Sequence, residues 1–113
     1  MRRHDVVKDV ERLERLLTAC VGDHGVAVVL TNVAAFWLPA AARNTFDQSF
    51  RVHEGASLAG TLDWAPGTGD GTKKNRDKAL VLRGRYRMSW VDYANVGTGP
   101  GSTFRALVVP VGG

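Results

Sequence analysis

Cysteine is nearly absent. The 113 residues hold one, Cys20, so no internal disulfide can form, and a scaffold stapled by several of them is excluded. A single thiol fits a reducing, intracellular setting. Long apolar runs are also missing. None approaches the roughly 20 residues that span a bilayer. No secretory signal is visible either, because charged residues open the chain and lead straight into an amphipathic pattern. A cytoplasmic location is the expectation, with no membrane partner.

Several chemical signatures are missing too. Gly67-x-Gly69-x-Gly71 and Gly97-x-Gly99-x-Gly101 lack the spacing of a dinucleotide loop, and Thr72 precedes Lys73 and Lys74 where a phosphate loop needs the lysine first. His4, His24 and His53 share no ligand spacing and have no cysteine partners. His53-Glu54 lacks the second histidine of a metalloprotease helix. No Glu-x-Lys or Asp-x-Lys triplet occurs, so the usual magnesium-dependent nuclease pattern fails. Cys20 falls on an apolar helical stripe and reads as core, not as a nucleophile. No catalytic residue, metal ligand or cofactor is therefore assigned.

What is present describes one α+β domain over residues 1–113. A helix–strand unit covers residues 5–32 and a β-rich part covers residues 56–111. Val6, Val10, Leu13, Leu17 and Cys20 recur at three- and four-residue steps, widened by Val7 and Leu16. This predicts a helix over Asp5 to Val21, capped by Asp5 and stopped by Gly22. Glu11 and Arg15 stand four apart on its charged side. The next stretch, Val26-Ala27-Val28-Val29-Leu30, is five apolar residues in a row. It reads as a strand buried on both faces, the kind a parallel sheet contains. Val33 to Leu38 reads as a turn or one helical turn that tucks Trp37 against the sheet. Asn44 to His53 reads as a short helix with Phe46 and Phe50 on one side.

The second half alternates with period two. Leu58, Leu62 and Trp64 share a face in Ser57 to Trp64. Leu80, Leu82, Tyr86, Met88 and Trp90 share one in Ala79 to Tyr93. Gly60 and Gly84 mark bulges or bends in long, curved hairpin strands. Thr103 to Val111 is a last strand. The expected architecture is an N-terminal amphipathic helix packed on a mixed, mostly antiparallel sheet. Trp37, Trp64, Trp90 and Tyr86 are read as core aromatics.

Charge supplies the best functional signal. The net charge is +4. Lys73, Lys74, Arg76 and Lys78 lie in a loop beside a strand face bearing Arg83, Arg85 and Arg87. Such a patch could neutralise several phosphates of DNA or RNA. It could equally be a solvated face whose arginines pair with carboxylates on a neighbouring strand.

A family resemblance joins these features. Val7-Lys8-Asp9-Val10-Glu11-Arg12-Leu13-Glu14, then Val29-Leu30-Thr31-Asn32 and Trp37, is similar to the later part of a family of bacterial proteins. That family resembles the PD-(D/E)xK nuclease superfamily. Phe50-Arg51-Val52-His53-Glu54-Gly55, Gly60-Thr61-Leu62-Asp63-Trp64, Gly71-Thr72-Lys73-Lys74 and Trp90-Val91-Asp92-Tyr93 continue it in order. The superfamily core runs helix, three strands, helix, strand, with its catalytic residues on strands before the second helix. The resemblance places this chain after those strands, so no catalytic residue carries over.

Three functional expectations follow. The first is a non-catalytic, nuclease-like binding or assembly module that associates with itself or with a separately encoded catalytic half. The second is a DNA- or RNA-binding module using the basic loop and strand face over 73–87. The third is an intact magnesium-dependent nuclease that recruits Asp47, Glu54, Asp63 and Asp92 in an atypical way.

Overall fold

The computed structural model describes residues 3–18, 24–39, 47–66, 68–69 and 79–112. Helix α1 (Arg3–Thr18) is followed by strand β1 (His24–Thr31) and two short 3-10 turns, Ala34–Phe36 and Gln48–Phe50. Strands β2 (Ser57–Leu62), β3 (Leu80–Arg87), β4 (Trp90–Asn95) and β5 (Thr103–Gly112) complete the chain. They form a three-stranded sheet in the order β1-β5-β4 and a two-stranded sheet of β2 and β3. The expected α+β class is what is observed, with α1 packed against β1, β3 and β5.

The helix follows from its sequence, with adjusted ends. It starts at Arg3, so Asp5 sits inside the first turn and is not the cap. A carboxylate there still complements the helix dipole. Val6, Val7 and Val10 are fully buried, and Leu13 and Leu17 pack at the core's edge. Leu16, expected to widen the apolar stripe, is 63% exposed. Glu14 is buried in its turn, for a reason given below. Glu11 and Arg15 pair at 3.5 Å as their spacing predicts. Cys20, Val21 and Gly22 lie outside the described residues.

Strand β1 departs from expectation. It pairs antiparallel with β5 in a regular register from His24 opposite Gly112 to Thr31 opposite Arg105. Val29 is buried, whereas Val26, Val28 and Leu30 are exposed on the other side. The strand therefore has one dry face, not two. Every strand pairing among the described residues is antiparallel. Thr31 and Asn32 end the strand as read: Thr31 Oγ1 accepts the Val33 N–H at 3.1 Å, and the Asn32 amide donates to the Gly101 carbonyl.

Residues 79–93 form two strands instead of one. Met88 exchanges backbone hydrogen bonds with Gly55 and Ala56 at 2.9 and 2.7 Å. Two residues further on, the Trp90 N–H donates to the Glu54 carboxylate at 2.6 Å. The chain then leaves β2 and pairs with β5. Met88 and Trp90 are both buried, so the alternation runs unbroken through the joint while the partner changes. Gln48–Phe50 is a 3-10 turn and not the short helix read from Asn44 to His53; residues 44–46 of that span lie outside the described ones.

Aromatic side chains knit the layers together. Trp37 meets Trp90 at 5.8 Å between ring centroids, and the Trp90 indole N–H donates to the Val52 carbonyl at 2.7 Å. His4 stacks on Trp64 at 5.5 Å and meets the edge of Phe50 at 4.8 Å. Phe50, Val52, Leu58, Met88, Leu107, Val109 and Val111 are almost wholly buried. Three expectations thus hold in three dimensions: Trp37 is tucked in, Phe50 faces inward and β2 alternates about Leu58 and Leu62.

Candidate functional site

The two-stranded sheet is irregular at one place, and that place organises the surface. Gly60 pairs with Leu82, but Leu58 pairs with Tyr86. Three residues of β3, Arg83 to Arg85, therefore stand opposite one residue of β2. This is the bulge that the interior glycines predicted. Gly60 takes a positive φ of 70° there, a conformation that glycine adopts without steric cost.

A bulge frees backbone N–H groups from the ladder, and they need other acceptors. Helix α1 supplies them. Glu14 accepts the Arg83 N–H on one carboxylate oxygen and the Gly84 N–H on the other, both at 2.8 Å. The second oxygen also accepts the Tyr86 hydroxyl. Three residues earlier, Glu11 accepts the Val81 N–H at 2.7 Å. The two glutamates share a helix face and cover the outer edge of β3. Burial pushes the Glu14 carboxyl upward, but the bonds from Tyr86, Arg83 and Gly84 and the Arg83 charge outweigh it and leave it below the ordinary 4.5. Tyr86 is raised above its ordinary value, by burial first and then by the hydrogen bond to Glu14 and its charge.

On the outer face of that sheet stand Arg83, Arg85 and Arg87, all exposed. The paired strand, Ser57–Leu62, has no acidic residue, so that strand offers the arginines no carboxylate. Arg83 lies close enough to Glu14 to depress its carboxyl. Among the described residues, Arg85 and Arg87 make no ion pair. Lys73, Lys74, Arg76 and Lys78 lie outside the described residues.

The four carboxylates of the nuclease alternative are each bound to a different structural task. Asp47 pairs with Arg3 at 3.1 Å and Glu54 accepts the Trp90 N–H. Asp63 accepts the Trp64 N–H at 2.8 Å, and Asp92 pairs with Arg105 at 3.1 Å. Among the described residues no group of three His, Cys, Asp or Glu could hold a metal ion. No described helix is long and apolar enough to cross a membrane.

The three-stranded sheet presents a second surface. Its outer face carries Val26, Val28 and Leu30 from β1, Val108 from β5, and Val91 and Tyr93 from β4, all exposed. Because β1 ends the sheet, one of its backbone edges has no strand beside it among the described residues. A groove of about 300 Å³ runs between that strand and α1, with Leu13, Leu16, Val26 and Val28 on its walls. Sequence reasoning missed this surface, because an uninterrupted apolar run reads as buried. Leu16, an apolar residue at the margin of the helical stripe, was the available signal.

Compared with protein-family models, curated proteins and solved structures, the chain matches none of them.

Proposed function

We propose that this chain is a non-catalytic binding module that engages a polyanion, the phosphate backbone of DNA or RNA, through the outer face of β3. The observation that supports this is the row Arg83, Arg85, Arg87 on a sheet face whose paired strand has no acid. Successive residues on one strand face stand roughly 7 Å apart, a spacing comparable to that of phosphates along one nucleic-acid strand. Lys73, Lys74, Arg76 and Lys78 precede β3 in sequence and add positive charge close to it along the chain. Recognition of this kind is electrostatic and insensitive to base sequence.

Binding of a labelled duplex and a labelled single strand, titrated at several salt concentrations, tests the proposal. Measurable affinity at low salt is expected, falling linearly on a log–log plot. Replacing Arg85 and Arg87 together by Gln should lower the duplex slope by about 2. Absence of binding at low salt, or binding that ignores salt, removes the proposal.

A second reading is favoured by a different observation, the edge of β1 that has no strand beside it among the described residues. Here the chain is an assembly module, kin to the nuclease-like family on the residues given above, and β1 receives a strand from another chain. If the product of an adjacent reading frame supplies the missing Glu-x-Lys strands, it should co-purify with this chain. Val28→Lys on β1 should abolish that retention.

A further inference from the structure

We infer that a second copy of this chain covers the free edge of β1, so that two three-stranded sheets join as one six-stranded sheet about a two-fold axis at Val28. The inference rests on the assembly reading and names its partner.

The contrast between the two sheets motivates it. The outer edge of β3 is covered, because Glu11 and Glu14 take the N–H groups of Val81, Arg83 and Gly84. Among the described residues, β1 has neither a strand on that edge nor a side chain taking its edge N–H groups in this way. It carries no lysine, acid or proline, and its eight-residue register with β5 has no bulge. Those are the devices by which proteins keep an edge strand from pairing. A regular, unprotected edge is a template for another strand.

The sequence of β1 fits itself. Antiparallel strands in one sheet place opposing residues on the same face. A two-fold axis must therefore pass through a residue; an axis between Ala27 and Val28 would set exposed Val26 against buried Val29. With the axis at Val28, Val26 meets the partner's Leu30 and Val28 meets its own copy on the outer face. On the inner face Ala27 meets the partner's Val29. Moving the axis to Val29 shortens the overlap within His24–Thr31; an axis at Ala27 keeps its length but sets exposed Leu30 against exposed His24, so only Val28 matches apolar with apolar across the outer face.

The flank also suits a second copy. An edge contact alone falls short of the roughly 1,000 Å² that a specific interface needs, and the groove beside β1 adds exposed Leu16 together with Leu13. That flank holds one acid and one base, Asp9 and Arg12, so two copies do not repel. Exposed apolar residues next to an open edge are the feature a partner strand buries.

The test uses the full chain with Cys20→Ser, which removes the only native thiol. Light scattering during gel filtration should give twice the 12.2 kDa chain mass. Val28→Lys should return it to one chain mass with an unchanged circular dichroism spectrum. Val28→Cys should cross-link on oxidation, because directly opposed Cα atoms lie about 4.5–5.5 Å apart, within disulfide reach. Val26→Cys alone should not, since the two copies of residue 26 would stand about 13 Å apart. A mixture of Val26→Cys and Leu30→Cys chains should cross-link again. The near-isosteric cysteine variants decide the matter even if Val28→Lys fails to fold. A dimer that ignores Val28→Lys and shows no cross-link at residue 28 overturns the inference. So does a chain that stays monomeric at high concentration. A monomer that still retains the adjacent-frame product, and loses it on Val28→Lys, overturns only the second copy. A monomer that retains neither overturns the assembly reading too.

Discussion

Removing the Glu14 carboxylate should destabilise this protein more than any other single change to its helix surface. In Glu14→Ala two backbone N–H groups, of Arg83 and Gly84, lose their acceptor, and so does the Tyr86 hydroxyl. Each orphaned donor costs about 1–3 kcal/mol when fully buried. This site is partly open to water, so a total of roughly 2–4 kcal/mol is the reasoned figure. That is a large share of the roughly 5–15 kcal/mol that holds a domain together. At this chain length about 4 °C is lost per kcal/mol, so the melting temperature should fall by roughly 8–16 °C. Glu14→Gln keeps one carbonyl oxygen but turns an NH₂ toward the Gly84 N–H, so it should fall between the wild type and Glu14→Ala. The pH dependence gives an independent check. The folded-state carboxyl is held below its ordinary 4.5, so the unfolded chain binds the proton first as pH falls. The stabilising contribution is then complete above that ordinary value and disappears as pH drops through the folded one. Urea melts of the wild type and Glu14→Gln should therefore differ most near neutrality and converge in acid. A loss below 1 kcal/mol in Glu14→Ala, or a gap that widens in acid, refutes the view that Glu14 closes the β3 bulge.

Two further predictions use neighbouring geometry. Gly84→Ala would place a Cβ 2.7 Å from the Tyr86 hydroxyl oxygen and 2.9 Å from the ring carbon that bears it. Tyr86 must then leave Glu14, and thermal melting should show a loss of roughly 1–3 kcal/mol, much reduced in a Tyr86→Phe background if the lost hydrogen bond is the main cost. Leu107 is fully buried at the centre of the core, so Leu107→Ala should cost about 2–5 kcal/mol in a chemical melt. Val108→Ala next to it, on the exposed face, should change stability by no more than about 0.5 kcal/mol.

The arginine row is legible in the residue order, since period-two alternation separates Arg83, Arg85 and Arg87 from Leu80, Leu82 and Tyr86. Its bulge is legible in Gly60 and Gly84. Glu14 is not, because a glutamate on a helix reads as solvated unless a distant strand presents free N–H groups. Those groups lie about seventy residues away, with separations of 69 and 70.

What the sequence determined by itself is local. Side-chain periodicity set the helix and the inward residues of β2 and β3, and glycine marked where the β2–β3 ladder breaks. What only the tertiary structure decided is partnership. Side chains do not encode which backbone edge meets which strand, so the run at Val26 to Leu30 looked the same for a central parallel strand and for an antiparallel edge strand. Its pairing with β5, near the far end of the chain, left Val26, Val28 and Leu30 of that run exposed. Likewise the alternation through Met88 and Trp90 hid a change of sheet, because burial continued while the hydrogen-bonding partner did not. The two surfaces proposed to function, the β3 face and the β1 edge, differ for that reason: the first is written in residue types, the second in topology.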